Sequence, residues 1–238
     1  VTGVSGSKKL KRQMAPLFWG ISRKAKRFVV TVRPGPHPKA MSIPSAVLLR
    51  DTLKLVTSLR EAKAAIYSGS VKVDGIVRKS LHHGIGLMDV VELAGVDDVY
   101  RLVPGEGALL KPVRISPDEK TKKLCRVTSK ATIRGGRTQI GLHDGRTIIS
   151  DIDVSLGDTC IVQVPEQKIL DTIRLGEGTH VIVTGGTNSG QTGTVERIEP
   201  GTFSIPRRAL VALRDRKIEI QTDNTMAVGR DGPAIQIG

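Results

Sequence analysis

Residues 58–79 read SLREAKAAIYSGSVKVDGIVRK, and the fold is decided by how this stretch is read. Leu59, Ala62 and Ile66 recur at i, i+3 and i+7, which predicts a helix from about Ser58 to Tyr67 with Gly69 ending it. Arg60, Lys63 and Tyr67 take the opposite face at the same spacing. Val71-Lys72-Val73 then alternates as a strand, Asp74-Gly75 is a two-residue hairpin turn, and Ile76-Val77 returns. Arg78 and Lys79 follow at once. If helix and hairpin pack through their apolar sides, Arg60, Lys63, Lys72, Arg78 and Lys79 converge on one surface.

Upstream, Ser42-Ile43-Pro44 reads as another helix start with proline in its first turn, and Val47, Leu48, Leu55 and Val56 follow as an approximate apolar stripe. Residues 41–104 therefore form a compact α+β module. Residues 105–173 read as mostly β, with strands at 123–127, 138–142, 146–149 and 160–164 separated by the turn signals Gly135-Gly136 and Asp144-Gly145. Pro165 stops the last of them. Residues 174–238 show short strands at 181–183, 194–198, 211–213 and 217–220, the rhythm of a small β-barrel. The predicted fold class is thus α+β and multi-domain. Aromatic residues are only 3% of the 238 residues, so the cores must be built from Val, Ile and Leu.

Residues 1–40 read as a basic arm. Its segment KKLKRQMAPLFW (8–19) alternates bases with apolar groups, and TVRPGPHP (31–38) is stiffened by proline. Phe18 and Trp19 either dock this arm on the body or stack on an RNA base. The arm is expected to lack fixed structure alone and to fold along its partner. The formal net charge is +14, and residues 1–50 carry eleven bases with no acid. The remaining residues hold 26 bases against 23 acids, so the body is only mildly basic. Such asymmetry points to a polyanionic partner. The chain begins at Val1, from which a removed initiator Met is expected.

Several classes are disfavoured. No apolar run approaches the roughly 20 residues of a membrane span, and the N-terminus has no apolar signal core. No membrane partner is expected. Cys125 and Cys160 lie far apart and in no CxxC pair, which argues against a disulfide framework or a cysteine-rich zinc site and fits a reduced, cytosolic setting. Residues 185–192, GGTNSGQT, match a phosphate-binding loop except that Gln191 stands where a lysine must reach the phosphates. The alternation after it reads as a strand, not the required helix. His37, His82, His83, His143 and His180 fall in no metal-binding motif, and His82-His83 would point to opposite faces of a strand. Asp97-Asp98 and Asp151/Asp153 form no acid–base pairing, and no serine or cysteine sits in a nucleophile elbow. No enzyme activity, metal or cofactor is expected.

Nucleic acid is the partner that these features favour. The arm and the helix–hairpin face supply arrays of bases for phosphates. The glycine-rich loop at 185–193 can approach a backbone closely and offer N–H groups. The absence of a helix-turn-helix signature, a zinc finger or an aromatic RNA-binding motif favours reading of shape and phosphates in structured RNA.

The stretch from Ile43-Pro44 through residues 58–63 and 69–75 to Arg78 resembles the alpha-L RNA-binding motif. Residues 181–195, VIVTGGTNSGQTGTV, resemble a KOW motif. With the arm, the RPGPHP segment, residues 86–91, residues 142–146 and the end at residues 228–231, the order resembles the small-subunit ribosomal protein four family of the archaeal and eukaryotic lineage. The resemblance implies a non-enzymatic protein of the ribosome in the cytoplasm, with small-subunit rRNA and neighbouring small-subunit ribosomal proteins as partners. It also implies an alpha-L domain at 41–104, a central β domain at 105–173 and an SH3-like KOW barrel at 174–238. No homo-oligomer is expected, and the absence of a long extension favours an archaeal source. Such KOW loops often carry bases where this chain has Thr187 and Gln191, leaving Asn188 and the loop backbone at Gly190 as its RNA contacts. The other candidate contacts are Lys8, Lys9, Lys11, Arg12, Arg23, Lys24, Lys26, Arg27, Arg33 and Arg50, with Arg60, Lys63, Lys72, Arg78 and Lys79 of the helix–hairpin face. Rival readings are an RNA-modifying enzyme accessory, since alpha-L modules are appended to pseudouridine synthases, and a KOW transcription factor.

Overall fold

The structure, a computed structural model, describes residues 10–105, 108–230 and 232–237. Lys8, Lys9 and Asp231 lie outside the described residues. Strands dominate the described chain, and helices are few and short. Three antiparallel five-stranded sheets follow one another along the sequence.

The first sheet runs Ile76–Val77, Val71–Val73, Val90–Leu93, Val99–Gly105, Ala108–Ile115 in spatial order. Its hairpin turn places both Asp74 (φ 52°) and Gly75 (φ 76°) in the left-handed region, the turn geometry whose twist matches that of the flanking strands. The helix of residues 58–67 spans Leu59–Tyr67 and packs here, with Ala62 and Ile66 fully buried. Ser58 caps it. Its Oγ accepts from Glu61 N–H (3.2 Å), while the Glu61 carboxylate reaches back to Thr57 N–H (2.9 Å). These hydrogen bonds hold the Glu61 carboxyl below its usual range, the largest contribution coming from the Thr57 backbone. Gly69, at φ +85°, ends the helix.

The helix start expected at Ser42-Ile43-Pro44 is instead a short strand, Ile43–Pro44, paired with Gly84–Ile85. Pro44 has extended backbone (φ −64°, ψ 141°) and stands before the helix, which begins at Ser45 and continues as a π-helical turn over Leu48–Thr52. Of the apolar stripe, Val47 and Leu48 are buried but Leu55 is exposed.

The second sheet runs Thr147–Ile149, Thr138–Leu142, Lys122–Thr132, Thr159–Gln163, Lys168–Ile173. The long middle strand pairs with one neighbour over its first half and with another over its second. Cys125 and Cys160, distant in sequence, face each other across this ladder as free, buried thiols. The third sheet runs Lys217–Gln221, Arg208–Ala212, Thr192–Glu199, His180–Val183, Thr225–Gly229. Its last strand, fully buried, had no counterpart in the sequence reading. TMAVG lacks polar alternation because both of its faces are covered.

The N-terminal segment is not a free extension over its described part. Leu10–Lys11 pairs with Phe28–Val29, and Leu10, Ala15, Trp19, Val29 and Val32 belong to the same core as Ile43, Val47, Ile66, Val71 and Leu102. Trp19 is 1% exposed and its indole N–H donates to Ser42 O at 2.9 Å. The reason is apolar content, since burying such side chains contributes roughly 1.5–3 kcal/mol each. A second core joins Met88 and Val103 of the first unit, Leu124 and Ile173 of the second and Val181, Val195 and Met226 of the third.

Candidate nucleic-acid interface

Two basic surfaces emerge. The first is a cleft of about 490 Å³ between residues 11–13 and 23–27, lined by Lys11, Arg12, Arg23, Lys24, Lys26 and Arg27 with Gln13 and Ala25, and by no acid. Two of its arginines build it. Arg12 is buried, and its guanidinium donates to Ser22 O (3.0 Å) while its Nε has no partner in the protein. Arg23 donates to Gln13 O (2.7 Å) and Ala15 O (3.1 Å). Carbonyl oxygens fix these forks without neutralising them. Lys11, Lys24, Lys26 and Arg27 are exposed around the opening, with Arg27 lying over the Phe28 ring at 5.3 Å. Arg33 is exposed nearby in the chain, and its N–H donates to His82 O.

The second surface is the helix–hairpin face. Arg60 and Lys63 are exposed on the helix side opposite Ala62 and Ile66, and Lys63 sits 5.5 Å over the Tyr67 ring. Lys72 points outward between buried Val71 and Val73. Lys79 crosses the helix end, its Cε 3.4 Å from where a Gly69 side chain would begin. Arg78 is half-buried with its Nε unpartnered. Arg50 contributes less, because its guanidinium is bound to Asp51 at 2.6 Å.

The glycine-rich loop differs from its expected role. The Gly190 N–H donates to Val183 O (2.9 Å), the Ser189 N–H to Gly186 O and the Gln191 N–H to Asn188 O, so these amides are spent inside the loop. Asn188 Oδ1 accepts from Arg216 at 2.6 Å. A strand, Thr192–Glu199, follows the loop as expected, and a nucleotide-phosphate loop is ruled out.

Sequence reasoning missed the buried charge cluster that fixes the units to one another. Lys123 is 0% exposed and its Nζ meets Asp89 (2.5 Å), Asp74 (2.8 Å) and Asp144 (3.0 Å). Arg146 adds a 2.6 Å contact to Asp74, and His37 donates to Asp89 at 3.0 Å. Burial alone pushes the Asp89 carboxyl up, but Lys123 and His37 outweigh it and hold it below the carboxylate range. Burial likewise opposes charge on Lys123, and Asp89 and Asp74 overcome it, raising its ammonium well above the usual lysine value. His143 stays neutral. Its Nε2–H donates to Leu87 O and its Nδ1 accepts from Arg126 N–H, while burial and Lys123 push it down to about 4. Lysine in an alternating strand gave no sign of its burial; only the register across three loops reveals it. Among the described residues no group of His, Cys, Asp and Glu is arranged to hold a metal ion, and no helix is long and apolar enough to cross a membrane.

Comparison with known proteins follows the same outline. The model of Ribosomal family S4e matches residues 96–169, and that of the RS4NT (NUC023) domain matches residues 5–40. The chain is similar to the small ribosomal subunit protein eS4 of Ignicoccus hospitalis, 38% identical over 98% of this chain and 95% of that protein. With the eS4 of Methanothermobacter thermautotrophicus it shares 36% identity over 98% of this chain and 97% of the other. The crystal structure of the 30S ribosomal protein S4e from Thermoplasma acidophilum matches with a TM-score of 0.69 and 33% identity, covering 79% of this chain and 95% of that one.

Proposed function

The chain belongs to the small ribosomal subunit protein eS4 family, and from that premise we propose that its two basic surfaces hold small-subunit rRNA. It is a structural constituent of the small ribosomal subunit, non-enzymatic, and it resides with ribosomes in the cytoplasm. The observation that carries the rRNA reading is the acid-free cleft of Lys11, Arg12, Arg23, Lys24, Lys26 and Arg27. Six like charges around one opening repel one another, and an array of phosphates relieves that repulsion while releasing counterions.

The exposed Arg60, Lys63, Lys72 and Lys79 form the second contact, on the helix and hairpin read as an alpha-L motif. The 41–104, 105–173 and 174–238 divisions and the KOW identity of the last belong to the same reading. In it the buried Lys123 cluster fixes the relative placement of the units, so that both basic surfaces meet folded RNA together. Neighbouring small-subunit proteins cover part of the remainder. The test is sedimentation of native lysate with this protein followed through a moderate-salt wash. Retention with small subunits supports the reading, and recovery at the top of the gradient overturns it.

A further inference from the structure

The third sheet carries a cleft of about 540 Å³ between the Gly190–Thr192 end of the glycine-rich loop and the hairpin turn of residues 213–216, lined by Gln191, Thr192, Leu213, Arg214, Asp215 and Arg216. We infer that Arg214 and Arg216 make this cleft a further contact for the RNA phosphate backbone, supplying from a neighbouring turn the charge that the loop itself lacks. The inference rests on the rRNA reading above and extends it to the third unit.

Five observations carry it. The loop has no lysine or arginine over residues 185–192, and its Gly190, Ser189 and Gln191 amides are spent internally, so the loop brings no cationic side chain of its own to an anion. Arg214 and Arg216 are both exposed on the turn that faces it. Arg216 is held in place by Asn188 Oδ1 at 2.6 Å, a neutral acceptor that orients the guanidinium and leaves its charge uncompensated. No ion pair of Arg214 or Arg216 is present among the described residues, although Arg208 and Lys217 on adjoining strands are paired with Glu219 and Glu196. Gly186, at φ +83° with open space where a side chain would be, keeps the loop surface low enough for a backbone to lie across it. Asp215 stands between the two arginines and reduces the net charge, which favours one or two phosphates over a long tract.

The test measures binding of the full chain to transcribed small-subunit rRNA as a function of salt. It compares wild type with Arg214→Ala/Arg216→Ala, Gln191→Lys and, in parallel, Arg60→Ala/Lys63→Ala/Lys79→Ala. The double variant is expected to flatten the slope of log affinity against log salt by about two, one per lost phosphate contact, and Gln191→Lys to steepen it by about one. Unchanged slopes in the double variant and Gln191→Lys, with a flattened slope in the triple variant, would overturn the inference and leave the rRNA reading standing. Unchanged slopes in all three would overturn the inference and the helix–hairpin contact together, leaving the rRNA reading to the cleft of Lys11, Arg12, Arg23, Lys24, Lys26 and Arg27. Unchanged RNA binding by a double variant that washes out of assembled subunits would assign the cleft to an acidic segment of a neighbouring protein instead.

Discussion

Lys123 Nζ and Asp89 Oδ1, 34 residues apart in the chain, meet at 2.5 Å where both side chains are almost wholly removed from solvent. Asp74 and Asp144 complete the shell around the ammonium. One lysine of the second sheet thus binds the hairpin turn of the first, the loop at Asp89 and the turn at Asp144. Arg101 performs a similar task nearby. Also buried, it reaches the Glu119 carboxylate (3.0 Å), Lys122 O (2.9 Å) and Gln236 O (2.7 Å).

Lys123→Met keeps the stem and removes the charge, leaving three buried carboxylates to Arg146, His37, the Cys125 thiol and the backbone N–H groups of Gly86, Val90 and Arg146. The expected loss is roughly 3–5 kcal/mol, since breaking a buried pair leaves an uncompensated charge. At about 2–4 °C per kcal/mol for a chain of this size, the melting temperature should fall by about 10 °C. Thermal unfolding measures it, and a loss below about 1 kcal/mol would show that the cluster does not join the units.

His143 gives the chain an acid-side dependence. Its folded pKa is depressed to about 4, so as pH falls below its ordinary value of 6.5 the unfolded chain binds the proton first. Stability is therefore full above 6.5 and declines toward 4, by about 3 kcal/mol from this residue alone. His83, lowered chiefly by burial and then by Arg78, acts in the same direction. The depressed carboxyls of Asp89 and Asp144 contribute at neutral pH and lose that contribution only as pH falls below about 4. Urea midpoints measured from pH 7.5 to 4.5 should fall less steeply for His143→Gln than for wild type. Parallel curves would contradict the assignment.

How far the sequence led depends on distance along the chain. The helix from Leu59, the Asp74-Gly75 turn and the strand at 138–142 are local, and spacing and turn residues revealed them. The Ile43–Pro44 strand was misread because proline before a helical run suits either an N-terminal turn or a paired extended residue; its partner, Gly84–Ile85, decides. Bases in the N-terminal segment were legible as charge but not as structure. Nothing local distinguishes Arg12, buried and bound to Ser22 O, from exposed Lys24. Asn188 and Gly190 were singled out by motif, yet the Gly190 N–H is spent on Val183 O and Asn188 Oδ1 on Arg216, and the nearness of Arg214 and Arg216 gave no signal until the two turns stood side by side. Asp74 and Asp144 were read only as turn residues, Lys123 as part of a strand and Asp89 as part of the 86–91 segment, because their burial exists only in the assembled fold.

Trp19 tests the packed N-terminal segment directly, being the chain's one tryptophan. Without RNA its emission should be that of a buried indole and resist aqueous quenchers. Trp19→Ala should cost roughly 3–5 kcal/mol. Red-shifted, freely quenched emission would instead describe an arm that orders only on its partner.

The most direct measurement is the salt dependence of full-chain binding to transcribed small-subunit rRNA, comparing wild type with Arg60→Ala/Lys63→Ala/Lys79→Ala. All three side chains are exposed, so the variant should keep its fold. The slope of log affinity against log salt is expected to flatten by about three, with weaker binding at every salt concentration. A line coincident with wild type would show that the helix–hairpin face does not touch the RNA.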